Sequence, residues 1–407
     1  MVSGSAPTST PPALERRLKY NGPALFSYGF RPFFLGGAAW SAACIALWIP
    51  QFTAGFSLPT AYAPLDWHIH EMLYGYVAAV VSGFMLTAIP NWTGRLPING
   101  TPLAALVALW LAGRLAILFS TYLGIATAAV IDVAFLVTLA IVAAREIIAG
   151  RNWRNLRVLA LLCGFIAGNV VFHAEVYFSG TADYGIRIGI AAVVMLISLV
   201  GGRIVPSFTH NWLARRGDGR LPAPFSRFDV ASIVVSLLAL ALWVGLPASV
   251  ITGAVLIAAS LMQMTRLARW AGDRTASDRL VLVLHVGYAF VPVGFALLGA
   301  SILAPSVVPP SIAIHAWTAG AIGLMTLAVM TRASLGHSGQ ALSAGKGTQA
   351  IYLLALGAAL LRIIAGFDGT IVLMELAAAA WIGAFGGFVL LYGPLLAQRQ
   401  PVWSAGR

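Results

Sequence analysis

Long apolar runs separated by very few charges constrain this chain more than any other feature. Charged residues make up 9% of its 407 residues and hydrophobic ones 59%. A soluble domain carries about 25% charged residues, so this chain has too few to coat a surface facing water. That excludes a soluble enzyme, a nucleic-acid-binding module and a disordered protein; no nucleic acid is expected as a partner. A membrane-crossing helix needs about 20 mostly apolar residues. Runs of that kind lie near 31–50, 68–90, 101–121, 124–147, 155–178, 186–206, 228–246, 248–270, 279–302, 310–332, 349–366 and 371–395. They predict an all-α, polytopic membrane protein with twelve transmembrane helices, surrounded by membrane lipid.

The net charge of +12 would suggest nucleic acid in a soluble chain. Here the basic residues sort by loop instead. Of the 25, 22 fall on one side of the twelve runs, Arg187 alone falls on the other, and Arg114 and Arg362 fall inside runs. Basic residues are retained on the cytoplasmic side, so both termini are expected there. Residues 1–24, polar and Pro-rich, are expected to form a disordered cytoplasmic tail. Residues 25–397 form one membrane domain, and 398–407 a second cytoplasmic tail. Cys44 and Cys163 sit in different apolar runs and are expected to be packing residues. Trp67, Trp92, Trp212, Trp270 and Trp317 lie mostly at run ends, where an interfacial aromatic belt accounts for them.

Polar groups kept inside a membrane are costly, and so are functional candidates by default. The topology gives each histidine a depth. His68 and His70 open the second helix on the outer side; His173 and His315 lie near the outer ends of the fifth and tenth. His285, His337 and His210 lie on the cytoplasmic side. Imidazole commonly ligates haem iron and copper, although an isolated membrane histidine also serves as a hydrogen-bonded packing residue. The outer set supplies the candidate metal ligands His68, His70, His173 and His315. Residues two apart on a regular helix point about 200° apart. His68 and His70 therefore share one ion only if the chain there is extended or just entering the helix; otherwise each serves a different centre, one a haem iron and one a copper. Glu71 and Glu175 stand beside these histidines. They are candidates to ligate metal, to orient a histidine or to carry protons as catalytic groups, the alternative being ordinary charges at a helix end. Arg114 with Asp132, and Arg362 with Glu375, fall at matching depths and are expected to form internal ion pairs. Arg203 and Arg332, at the cytoplasmic ends of the sixth and tenth helices, are candidates to neutralise haem propionates near His285 and His337, or to anchor at headgroups.

Several segments resemble the NnrS family of bacterial inner-membrane proteins: LFSYGFRPFF (25–34), WHIHEMLYGY (67–76), IPNWTGRLP (89–97), GGRIVPSFTHNWL (201–213), LHVGYAF (284–290), IHAWTAGAIGLMTLAVMTRASLGHSG (314–339) and YGPLL (392–396). They run in order over nearly the whole chain. The resemblance implies a twelve-helix protein that carries haem and copper and is tied to nitric oxide metabolism and nitrosative-stress resistance. His68, His70, His285, His315 and His337 stand on matching motif positions, His173 on a looser one. His210 departs from the pattern, since the family carries Arg there, and is set aside. The second, sixth and tenth helices lie four apart and end in similar segments, IPNWTGR, VPSFTHNW and TRASLGHSG, which suggests three four-helix units. Catalytic subunits of haem–copper oxidases are built on a similar plan. By that analogy His315 and either His68 or His70 would hold a haem b between the second and tenth helices, and the remaining outer histidines a copper.

Three functions are compatible with these expectations. One is a redox enzyme that captures nitric oxide, or another small diatomic, at an outer haem–copper site. It would reduce two NO to N₂O with two electrons and two protons, the protons arriving through Glu71 or Glu175. Its electron donor is not named by any motif. A second is a non-catalytic haem/copper protein that senses or buffers NO or metal. The third is a transporter, which twelve helices would suit. Its hallmark of inverted repeats with broken midplane helices is not apparent, because the repeats come in threes and the polar groups lie toward the faces.

Overall fold

The structure, a computed structural model, describes residues 20–398. The expected tails, 1–24 and 398–407, lie outside the described residues except for 20–24 and 398. Among the described residues there is no strand, and twelve helices are long and apolar enough to cross a membrane. They are α1 (Phe30–Thr53), α2 (Pro64–Thr93), α3 (Thr101–Leu118), α4 (Ile125–Ala149), α5 (Trp153–Ser179), α6 (Tyr184–Leu213), α7 (Arg227–Gly245), α8 (Val250–Ala268), α9 (Arg279–Leu303), α10 (Pro310–His337), α11 (Lys346–Asp368) and α12 (Ile371–Ala397).

Local chemistry sets several of these ends. Proline occupies the first turn of α2, α3 and α10, where its missing N–H is no loss and its fixed φ suits a helix. Gly94 closes α2 at φ 69°, a left-handed cap that glycine adopts without strain. Two helices outrun their apolar stretches. α6 continues through Pro206 to Leu213, which takes in His210 and Trp212, and α10 continues to His337. An internal proline removes one ladder bond without ending a membrane helix, and the polar last turns of both helices fall outside any hydropathy run.

Consecutive helices pair closely, α3 with α4, α5 with α6, α8 with α9 and α11 with α12, while α12 also packs on α1 and closes the bundle. Arg31 Nη1 donates to the carbonyls of Leu396 at 2.9 Å and Gln398 at 3.1 Å. This ties the start of α1 to the end of α12, so both described ends lie on one face, called here the terminal face; the other is the far face. The most apolar stretches of α2, α6, α9 and α10 are 83, 56, 67 and 72% buried, against 28–39% for the other eight. α2, α6 and α10, spaced four helices apart, are thus central together with α9. Burial also reassigns three tryptophans. Trp67, Trp270 and Trp317 are enclosed, and Trp317 packs edge-on against Trp243 and Phe295, so these three belong to the core and not to an interfacial belt. Cys44 is buried as expected, whereas Cys163 is exposed on α5.

Candidate functional site

The far half of α2 departs from regular helix. A π-helical segment, Glu71–Val77, begins directly after His70, and a second, Ala316–Ile322, begins directly after His315 on α10. Such segments are rare and frequently mark functional sites. Both follow the same short pattern, Ile-His-x-x-x-x-Gly, at 69–75 and 314–320.

His70 and Glu71 open a buried polar network reaching α1, α3, α4 and α5. Arg114 on α3 donates to Glu71 Oε1 at 2.6 Å and also bonds Asp132 on α4. Trp40 Nε1 donates to Glu71 Oε2 at 2.6 Å. On α5, Asn169 Nδ2 donates to Asp132 Oδ2 at 2.8 Å, and His173 Nε2 stands 3.0 Å from the same oxygen. His70 Nε2 lies 3.1 Å from Asn169 Oδ1 and 3.3 Å from Asp132 Oδ2. Room for this is made at Gly75, where a methyl group would stand 2.7 Å from Arg114 Nη1 and 3.0 Å from Glu71 Oε2. The Arg114–Asp132 pair expected from depth is present, extended by Glu71, His70 and His173.

Ligand atoms of His70, Asp132 and His173 all lie within 4.8 Å of one another, and all three residues are buried. The outer nitrogens of both imidazoles are held. His70 Nδ1 meets Glu71 Oε1 at 2.9 Å, and His173 Nδ1 meets the Tyr62 hydroxyl at 2.8 Å. Burial pushes the Tyr62 phenol up, so it stays a neutral O–H. This is how metal-ligating histidines are oriented, one ring nitrogen fixed by a partner and the other turned to the ion. His70 is especially telling. Glu71 accepts from its Nδ1–H, while Nε2 faces only acceptors, Asn169 Oδ1 and Asp132 Oδ2. Nε2 must either carry a second proton or present its lone pair to a cation. With neutral imidazoles, one guanidinium and two carboxylates leave one negative charge enclosed, a cost that a bound cation offsets.

His68 turns the other way. It faces a far-face cavity of about 750 Å³ between α2 and α10, walled also by α1, α6, α11 and α12; small-molecule sites run about 300–1,000 Å³. The walls are mainly aliphatic and aromatic, among them Ile45, Ile49, Met72, Ile190, Ile314 and Trp381. His68 stacks on Trp48 at 4.8 Å and 16°, and its Nδ1 is enclosed without a partner. His315 lines the same cavity. Its Nδ1–H donates to Ser311 O at 2.7 Å, which leaves the lone pair on Nε2. Toward the terminal face, Tyr76 and Thr326 hydrogen-bond at 2.5 Å and join α2 to α10. Of the two geometries open to His68 and His70, the structure adopts the one in which each serves a separate place.

The remaining expected residues lie apart from these two places. Glu175 caps the start of α6, its carboxylate accepting from the N–H groups of Asp183, Tyr184 and Gly185 at 2.8–3.0 Å. That is the natural use of an anion at a helix N-terminus, and it matches the helix-end alternative considered for this residue. Glu71 is committed to Arg114, His70 and Trp40, which makes it an orienting group more than a free acid. On the terminal side, His285 Nε2 bonds Thr209 Oγ1 at 2.8 Å and His337 packs against Tyr28 and Phe30. Arg203 is exposed, within 3.5 Å of Asn155 Oδ1, and Arg332 lies over the Phe208 ring at 4.1 Å. Two of the four thus meet neighbouring residues of α6, His285 at Thr209 and Arg332 at Phe208. Asp132 as a donor to a metal group, Asn169, Tyr62, Trp48 and Arg362 were not singled out for the site. The repeated Ile-His-x-x-x-x-Gly was the available signal.

Twelve crossings around a buried His–Asp–His cluster and a histidine-lined cavity define a multi-pass α-helical membrane protein with a candidate metal centre. The chain belongs to the NnrS family, whose model, described as NnrS protein, matches residues 24–400. At the level of the family this ties it to nitric oxide, haem and copper, in a bacterial inner membrane. No curated protein matches it significantly.

Proposed function

We propose that this protein binds haem in the far-face cavity and a copper ion at His70, Asp132 and His173, and that nitric oxide is the ligand it answers to. The observation that carries the proposal is the split of α2. Two histidines only two residues apart address, on one side, a cavity sharing a second free imidazole on α10 and, on the other, a buried cluster with an uncompensated negative charge. The sorting of basic residues supports a cytoplasmic terminal face.

The donor chemistry suits both groups. His68 and His315 supply imidazole nitrogens to one apolar space, as a haem requires. Two imidazoles and a carboxylate form a nitrogen- and oxygen-donor set of the kind copper accepts. Such centres, when bound, supply sites where a diatomic binds and electrons are exchanged. The chain's own part is positional. Trp48 holds the His68 ring flat, Ser311 fixes the His315 tautomer, and Glu71 and Tyr62 orient the two cluster imidazoles. Aliphatic walls exclude water and admit an apolar diatomic that partitions into the bilayer.

Binding without turnover is the reading this geometry favours. Glu175 accepts from three backbone N–H groups at the start of α6 and Glu71 is held by Arg114, so neither is a free acid poised to deliver protons. Reduction of NO to N₂O is the second reading, favoured by the closeness of cluster and cavity along one helix. The test is the visible spectrum and the haem and copper content of the purified protein, followed by NO titration of the reduced form with N₂O measured by gas chromatography. Binding-induced spectral shifts without N₂O support the first reading. Sustained N₂O formation supports the second. A full-length preparation that takes up no haem refutes both.

A further inference from the structure

Arg362 on α11 lines the cavity, and no carboxylate lies within ion-pair distance of it among the described residues. Glu375, its expected partner across the α11–α12 loop, is exposed and makes no such pair. Arg362 lies six residues before the end of α11 at Asp368, which is about 9 Å along the helix. A guanidinium at that depth is costly unless matched by an anion, and Arg114 and Arg266, two arginines buried deep in the bundle, are both matched by acids. The cavity is otherwise mainly apolar and has no other charged side chain in its lining, its further polar groups being the two imidazoles, Gln51, Tyr76, Ser311 and Thr318.

We propose that Arg362 is a specificity-determining residue that selects a cavity ligand bearing a carboxylate and fixes its orientation, with the acid group against α11. This rests on the haem assignment above, where the acid is a propionate and the guanidinium fork provides paired, charge-assisted hydrogen bonds. It moves the propionate-binding role from Arg203 and Arg332, which lie on the terminal side, to a residue that shares the cavity with His68 and His315. It also explains why one side of an apolar pocket keeps a cation that nothing in the chain neutralises.

The experiment is a cycle between side chain and ligand. Haem-depleted full-length protein, wild type and R362Q, is titrated with haem and with its dipropionate dimethyl ester, and binding is followed by absorption. R362K, which keeps the charge but loses the fork, is the control for charge alone. The wild type is expected to prefer the free acid on the order of tenfold or more, the fold-change equivalent of one charge-assisted hydrogen bond. In R362Q that preference should vanish while the ester binds as in the wild type, and R362K should fall between. Equal affinity of the wild type for acid and ester, or a preference unchanged in R362Q, overturns the role of Arg362 while leaving haem binding intact. Uptake of neither form by the wild type overturns this role and the haem assignment together.

Discussion

Arg114→Met is the substitution whose consequence the buried network specifies best. Arg114 is fully enclosed and, among the described residues, is the only arginine or lysine in contact with Glu71 and Asp132, which are themselves enclosed. The change deletes two charge-assisted hydrogen bonds, each worth about 1.5–3 kcal/mol. It also strands two carboxylates in the bundle, and breaking a buried pair in this way costs about 3–5 kcal/mol. At about 1.2 °C per kcal/mol for a chain of 407 residues, the midpoint of thermal unfolding should fall by roughly 4–6 °C. The assay is the thermal melt of detergent-solubilised protein, chelator-treated so that a bound cation does not mask the loss. Adding Glu71→Gln and Asp132→Asn to Arg114→Met removes all three charges, so the triple variant should regain most of the lost stability. A single variant that melts within about 2 °C of the wild type, or a triple variant no more stable than the single one, would refute the account of Arg114 as the network's obligatory counter-ion.

His68→Ala and His315→Ala should each abolish or strongly shift the haem absorption of the purified protein, whereas His285→Ala and His337→Ala should leave it unchanged; a spectrum insensitive to the first pair counts against the cavity assignment. Glu71→Gln keeps the shape but weakens the acceptor for His70 Nδ1–H, and copper affinity measured by competition with a chelator should drop about 10–100-fold. Asp132→Asn removes a proposed ligand and should lower copper content further without altering the haem spectrum. Glu175→Gln weakens the charged cap of α6 and should cost about 1 kcal/mol of stability with NO-induced spectral shifts intact; loss of those shifts in a stably folded variant would restore Glu175 to the site.

The sequence was most legible where the physics is local and one-dimensional. Apolar length predicted all twelve helices, because a bilayer imposes the same requirement on each crossing separately. Where it went astray at boundaries, in α6 and α10, the helix ran on into polar turns that hydropathy cannot register. Depth along a helix predicted the Arg114–Asp132 pair, since rise per residue converts position to depth. The same reasoning mispaired Arg362 with Glu375, because depth carries no information about azimuth: Glu375 points outward and Arg362 into the cavity.

By itself, then, the sequence determined a twelve-helix membrane protein of the NnrS family, with polar groups at particular depths and two imidazoles close together at the start of α2. Only the tertiary structure decided which groups meet. It joined His70 to Asp132, Asn169 and His173 across three helices, and it set His68 and His315 on one cavity with Arg362. It also set Glu175 on the start of α6 and gave His285 a hydrogen bond to Thr209. The reason is that meeting depends on how each helix is rotated and on which helices are neighbours. Those are properties of the packed bundle, to which each apolar run contributes only a length.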